Sequence, residues 1–89
     1  MATIRVPTAL RTFTGGASDV EVEGATVRAI ITALEAKHPG ISAKLMKDGE
    51  VRPFIRIYVG PEDIGGLQGL DTAVAAKDEI SIIPAIAGG

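Results

Sequence analysis

The residues at the end of the chain, Pro84-Ala85-Ile86-Ala87-Gly88-Gly89, are the ones whose types and spacing suit chemistry. They follow an apolar run, Ile80-Ser81-Ile82-Ile83, that has the composition of a strand. The last two positions carry no side chain, and glycine gives the backbone its widest conformational range and slimmest profile. Such a segment can lie extended in a narrow channel and present the Gly89 carboxylate to an active site on another protein. Taken alone, the ending also fits a frayed terminus. A carboxylate is a poor electrophile until one oxygen becomes a good leaving group.

Other groups that invite chemical readings are weaker. His38 is the single histidine, at the end of a helical pattern beside Pro39, with no nucleophile or metal co-ligand near it in sequence. A solvated helix-end residue is the expectation. Asp19, Glu21 and Glu23 alternate along one strand face, and three acids on an outer hairpin face are expected to be solvated rather than to hold a cation. Gly65-Gly66-Leu67-Gln68-Gly69 lacks the Lys-Ser/Thr ending and the strand–loop–helix setting of a phosphate cradle, so a flexible loop is expected. No catalytic residue and no metal ligand emerge.

Composition narrows the function classes. The chain has 89 residues, 46% hydrophobic and 22% charged, which indicates one small globular domain. A net charge of -2 and three aromatics, Phe13, Phe54 and Tyr58, argue against nucleic-acid binding, which calls for a basic face and stacking platforms. The absence of cysteine removes disulfides, thiolate metal sites and a cysteine nucleophile. There is no signal-peptide pattern and no run of ~20 apolar residues, so the expectation is a cytoplasmic protein without membrane contact.

The elements that must position the tail follow from periodicity. Thr3 to Pro7 and Asp19 to Glu23 alternate as two half-buried strands joined by a loop containing Gly15-Gly16, an opening hairpin. Val27, Ile30, Ile31 and Leu34 then recur at helical spacing, with Thr26 as N-cap and Pro39-Gly40 as the stop. Ser42 to Met46 suits one further helical turn. Phe54 to Val59 is a strand with Ile55, Ile57 and Val59 on one face. Gly60-Pro61-Glu62-Asp63 reads as a turn, Ile64 to Leu70 as a loop with at most a short edge strand, and Asp71 to Val74 as a single helical turn. Glu79 to Ile83 is the last strand, with Ile80 and Ile82 on one side and Ser81 and Ile83 on the other. One helix crossing a mixed sheet of four or five strands buries the apolar stripe against one sheet face. The fold class is therefore α+β, a β-grasp (ubiquitin-like) roll, with residues 1–85 as the domain and 86–89 as a flexible tail.

A chain of this order ending in Gly-Gly resembles the ubiquitin-like sulfur-carrier family, the MoaD and ThiS proteins, and most of all its CysO type. The residues that carry the resemblance are Val6-Pro7-Thr8, Leu10-Arg11, Thr14-Gly15-Gly16, Leu34-Glu35-Ala36, Pro39-Gly40-Ile41, Ile57-Tyr58-Val59, Glu62-Asp63 and Ile83 to Gly89. The resemblance implies a carrier rather than an enzyme, with no bound cofactor. An E1-like adenylyltransferase would use ATP to adenylate Gly89, and a sulfur source would convert it to a thiocarboxylate. A biosynthetic enzyme would then accept the sulfur. The resemblance points to a pyridoxal-phosphate-dependent cysteine synthase-like protein or the large subunit of molybdopterin synthase, with thiamin or another sulfur metabolite as further outlets. The same activation would serve a protein modifier conjugated through Gly89 to lysines.

Strand parity adds a docking expectation. Ile83, Phe54 and Tyr58 fall on the sheet side away from the helix, where an apolar cluster is either a second small core under the 64–70 loop or a docking patch. The resemblance favours docking, since family members grip partners by this face and the tail together. Pro7 and Ile64 are lesser members of the patch. Ile86, Ala87 and Gly88 would thread the partner's channel.

Overall fold

The computed structural model describes residues 1–84. Strand β1 (Ala2–Arg5) turns its even residues inward, with Ala2, Ile4 and then Val6 buried. β2 (Asp19–Val22) pairs antiparallel with it and adds Val20 and Val22. The connection between them is a seven-residue 3-10 stretch, Thr8–Thr14, rather than a plain glycine loop. Its buried Leu10 and Thr14 explain the difference. The Thr14 hydroxyl lies 2.8 Å from the Ala17 carbonyl and 3.1 Å from that of Arg11, and Gly15 closes the segment at φ 66.

Helix α1 (Val27–Lys37) lies on the sheet through its expected stripe: Val27, Ile30 and Leu34 are fully buried and Ile31 nearly so. Thr26 caps it, its hydroxyl accepting from the Ala29 amide at 3.2 Å. Gly24 lets the chain approach the helix start closely, since a Cβ there would meet Ile30 N at 2.9 Å. The turn out of α1 is held by Glu35, whose carboxylate accepts from the Gly40 and Ser42 amides at 2.9 Å each. Those bonds stabilise the charged form and lower the Glu35 pKa, the Gly40 amide contributing most. The short helix α2 (Ser42–Leu45) follows, and buried Ile41 and Leu45 extend the core.

A small hairpin of β3 (Met46–Lys47) and β4 (Glu50–Val51) comes next, turning through Asp48 and Gly49 at φ 54 and 80. Two successive positive φ values are what a tight two-residue hairpin loop requires. β5 (Ile55–Val59) buries Ile57 between the half-buried Ile55 and Val59. Glu62–Asp63 forms a short strand, β6, hydrogen-bonded back onto β5, so the turn is confined to Gly60-Pro61. The segment read as a loop is built from two 3-10 turns, Ile64–Gly66 and Gly69–Asp71, which carry Ile64 and Leu70 inward. Thr72 to Val74 is extended instead of helical, with Ala73 bridging to Thr26.

β7 (Glu79–Pro84) runs through the middle of the sheet, whose order is β2-β1-β7-β5-β6. It is parallel to β1 and antiparallel to β5. This is the expected β-grasp roll: a five-stranded mixed sheet with one main helix on a single face, and the other face open. No helix of the described residues is long and apolar enough to cross a membrane.

Candidate functional site

The terminal strand is where fold and chemistry meet, because the tail starts from its end. Alternation along β7 buries Ile80 and Ile82 under the helix and turns Glu79, Ser81 and Ile83 to the open face. Ile83 is 47% exposed, too much for a core residue, so no second small core covers it among the described residues. Its cross-strand partner is Arg56, while Ser81 lies between Tyr58 on β5 and Arg5 on β1. Ile55 pairs with Pro84, which puts Phe54, 56% exposed, just past the last described rung between β5 and β7. Ile83 and Phe54 are thus the large apolar side chains at the tail end of the sheet, with Tyr58, half-buried, one step further in.

The other two expected members separate. Pro7 is half-buried and lines, with Arg5, Arg11 and Ile83, a groove of about 440 Å³ beside the end of β7. Ile64 does not belong to the patch. It is 4% exposed: Asp63 shares the open face with Tyr58 and Arg56, so the next side chain turns inward, and the 3-10 turn after β6 keeps Ile64 in the core. Ile86, Ala87, Gly88 and Gly89, the expected threading and sulfur-carrying positions, lie outside the described residues.

Charge on this face is arranged around the apolar end. Arg5 bridges Asp19 and Glu79 at 3.1 Å each, and Arg56 pairs with Asp63 at 3.4 Å. These pairs are solvated and contribute little to stability. They leave guanidinium groups beside Ile83 and acids toward Glu21 and Glu79, further from the tail. Reading β5 by the parity that picked out Phe54 and Tyr58 also selects Arg56. Arg11 carried no such signal: it reaches the groove because its Nε donates to the Val6 carbonyl at 3.2 Å across the 3-10 stretch.

The open face at the end of β7 presents an apolar edge with guanidinium groups beside it. No described group of three His, Cys, Asp or Glu side chains is placed to hold a metal ion. His38 caps α1 through its backbone amide, 2.8 Å from the Leu34 carbonyl, on the helix side of the molecule. Asp19 is tied to Arg5, as an outer-face acid should be. A second concavity of about 580 Å³, between the β3–β4 hairpin and the 64–71 segment, contains Arg28 paired to Asp71 and Arg56 paired to Asp63. Its remaining ionisable lining is Glu50 and Arg52.

Comparison with known proteins agrees with this architecture. The chain is 44% identical to the sulfur carrier protein CysO of Mycobacterium tuberculosis, over 98% of this chain and 97% of that one. A chain in the crystal structure of the Amycolatopsis orientalis BexX/CysO complex superposes with a TM-score of 0.96 at 45% identity, with all of both chains covered. Small archaeal modifier protein 3 of Haloferax volcanii is 34% identical over 75% of this chain and 73% of its own. The model of the ThiS family matches residues 4–89, nearly the whole sequence, and the chain belongs to that family.

Proposed function

We propose that this protein carries sulfur as a thiocarboxylate on Gly89. The observation that carries the reading is the near-full-length identity to a sulfur carrier protein, joined to a central strand that leads straight to the tail. In the first step a Gly89 carboxylate oxygen attacks the α-phosphorus of ATP on an E1-like enzyme, and pyrophosphate leaves. In the second, sulfide attacks the acyl carbon, the carbon–oxygen bond to AMP breaks, and the thiocarboxylate remains. The chain contributes position alone: Ile83, Phe54 and Tyr58 seat the open face, and residues 86–88 cross to the partner's active site. A biosynthetic enzyme then takes the sulfur. A cysteine synthase-like acceptor suits the likeness to CysO, and a molybdopterin synthase-type subunit is the other family outlet. ATP is used by the activating partner and is not held by this chain.

The identity to a small archaeal modifier protein favours a second use of the same activated tail, an isopeptide bond from Gly89 to target lysines. The two uses separate after activation. Incubation with the host's activating enzyme, ATP and sulfide should yield a small, thiol-reactive carrier, and pyrophosphate release should stop when Gly89 is deleted. ATP-dependent accumulation of higher-mass conjugates without a thiol-reactive product would select the modifier reading instead.

A further inference from the structure

The two edges of the sheet are finished differently. On β2 the Ser18 carbonyl accepts from the Val6 amide at 2.7 Å, so even residues face β1 and odd residues turn their backbone outward. That outer edge is guarded. Asp19 and Glu21 put charge along it, and Lys37 Nζ donates to the Glu21 carbonyl at 2.8 Å. The opposite edge is covered only in part. β6 pairs with Tyr58 and Val59 and stops, which leaves Ile55 to Ile57 without a neighbouring strand on that side.

Backbone parity shows what this stretch of β5 presents. The Gly60 amide donates to the Glu79 carbonyl at 2.8 Å, so even residues here bond β7 and odd residues point away from it. Had β6 continued, the Ile64 carbonyl would accept from the Ile57 N–H. The 3-10 turn gives that carbonyl to the Leu67 amide instead, at 3.0 Å. The Ile55 N–H is used locally, on the Arg52 carbonyl at 3.0 Å. The Ile57 N–H and the Ile55 C=O are thus a donor and an acceptor side by side, without a partner among the described residues. Ile57 is 1% exposed, and a buried amide without a partner is rare. Both groups face the concavity of about 580 Å³, whose apolar lining is Ile55, Ile57, Ile64 and Leu70 with Val51 and Pro53 at the hairpin side.

We infer that this half-open edge of β5 docks an extended segment of a partner protein, running parallel to β5 and presenting an acidic residue between two apolar ones. One guest residue opposite Arg56 satisfies both orphan groups. Its N–H meets the Ile55 carbonyl and its C=O meets the Ile57 N–H, which is the bonding of a parallel ladder. Its side chain shares the open face with Arg56, whose pairing with Asp63 is long, at 3.4 Å, and solvated. A carboxylate there gains a charge-assisted bond. Arg52, tied only to the Ala43 carbonyl at 2.9 Å, is a second cation on the rim, while Glu50 is carried on the exposed hairpin. The guest's two neighbours turn to the helix side, toward Ile64 and Leu70, where apolar side chains fit. The site lies across β5 from Ile83 and does not depend on the carrier reading.

The test titrates the 15N-labelled protein with a capped pentapeptide, threonine-valine-aspartate-valine-threonine, and needs no enzyme. Shifts should concentrate at residues 52–57 and 63–71, with the Ile57 amide proton moving downfield as it gains an acceptor. Without peptide the Ile57 amide should exchange about tenfold or more faster than those of Arg56 and Tyr58, which bond β7, and peptide should close that gap. Methylating the aspartate nitrogen of the peptide removes the guest donor and should weaken binding about fivefold or more. A lysine in place of the aspartate should weaken it comparably, and Arg56→Glu should reverse that preference. Equal binding of the methylated peptide would overturn the ladder, and equal binding of the lysine peptide the acidic preference. Shifts centred on Ile83, or none at millimolar peptide, would overturn the site. Movement of the same edge amides on diluting the protein alone would make a second copy the occupant and overturn the partner strand.

Discussion

Replacing Ile83 by arginine should abolish partner binding and leave the fold standing. Fully burying an isoleucine side chain is worth about 1.5–3 kcal/mol, and Ile83 is 47% exposed. Docking can therefore gain about 1 kcal/mol from it, roughly fivefold in affinity. Truncation to alanine should cost about that much. Arginine costs more, because it places a second guanidinium beside Arg56 and buries it in an apolar contact without a partner. A further ~2–3 kcal/mol brings the loss to two orders of magnitude or more. Stability should change by no more than about 0.5 kcal/mol, as at other outward-facing positions. The assay is calorimetric titration of each variant into the host's activating enzyme, beside thermal melts of the carrier alone. A clear fall in melting temperature would show that Ile83 supports the core. Full affinity in a folded Ile83→Arg variant would show that partners use another face.

Two further expectations concern the scaffold. Gly24→Ala should destabilise the domain by about 1–3 kcal/mol in urea melts, because the new Cβ would lie 2.9 Å from Ile30 N and 3.0 Å from the Ala29 carbonyl carbon. A neutral result would mean that the chain entering α1 shifts freely. Glu35→Gln should destabilise at neutral pH and lose its effect in acid. The folded-state pKa of Glu35 is lowered by the Gly40 and Ser42 amides, so its stabilisation is present above the unfolded pKa and lost as pH falls through the folded one. A difference between wild type and variant that does not shrink as pH falls through that window would contradict the charge-based role.

What the sequence made legible was local and periodic. The stripe Val27, Ile30, Ile31 and Leu34 placed α1, and alternation along residues 79–83 correctly put Ile82 inside and Ile83 outside, because each pattern lies within one continuous element. Ile64, expected as a lesser member of the patch, lies in the core, and what shows it is the pairing of Asp63 with Tyr58 across β5 and β6, a register that a two-residue strand inside a stretch read as turn and loop does not announce. The 3-10 stretches at Thr8–Thr14 and 64–71 have no period long enough to register; buried Leu10, Ile64 and Leu70 fix them through tertiary contact. The β3–β4 hairpin had a signal in Asp48-Gly49, but strands of two residues leave no alternation to support it. Pro7 was noticed as a strand end. The parallel pairing of β1 with β7 joins the two ends of the chain, and no local pattern contains that register.

The measurement that bears most directly on the carrier reading is intact-mass analysis of the protein from its own host, before and after a thiol-selective alkylating agent. Mass alone does not decide, since exchanging oxygen for sulfur nearly equals the oxidation of Met1 or Met46. The chain contains no cysteine, so an adduct mapping to residues 86–89 identifies a thiocarboxylate. The account predicts that adduct in the wild type and its loss when Gly89 is deleted. An unalkylated tail, even after supply of the activating enzyme, ATP and sulfide, would contradict it.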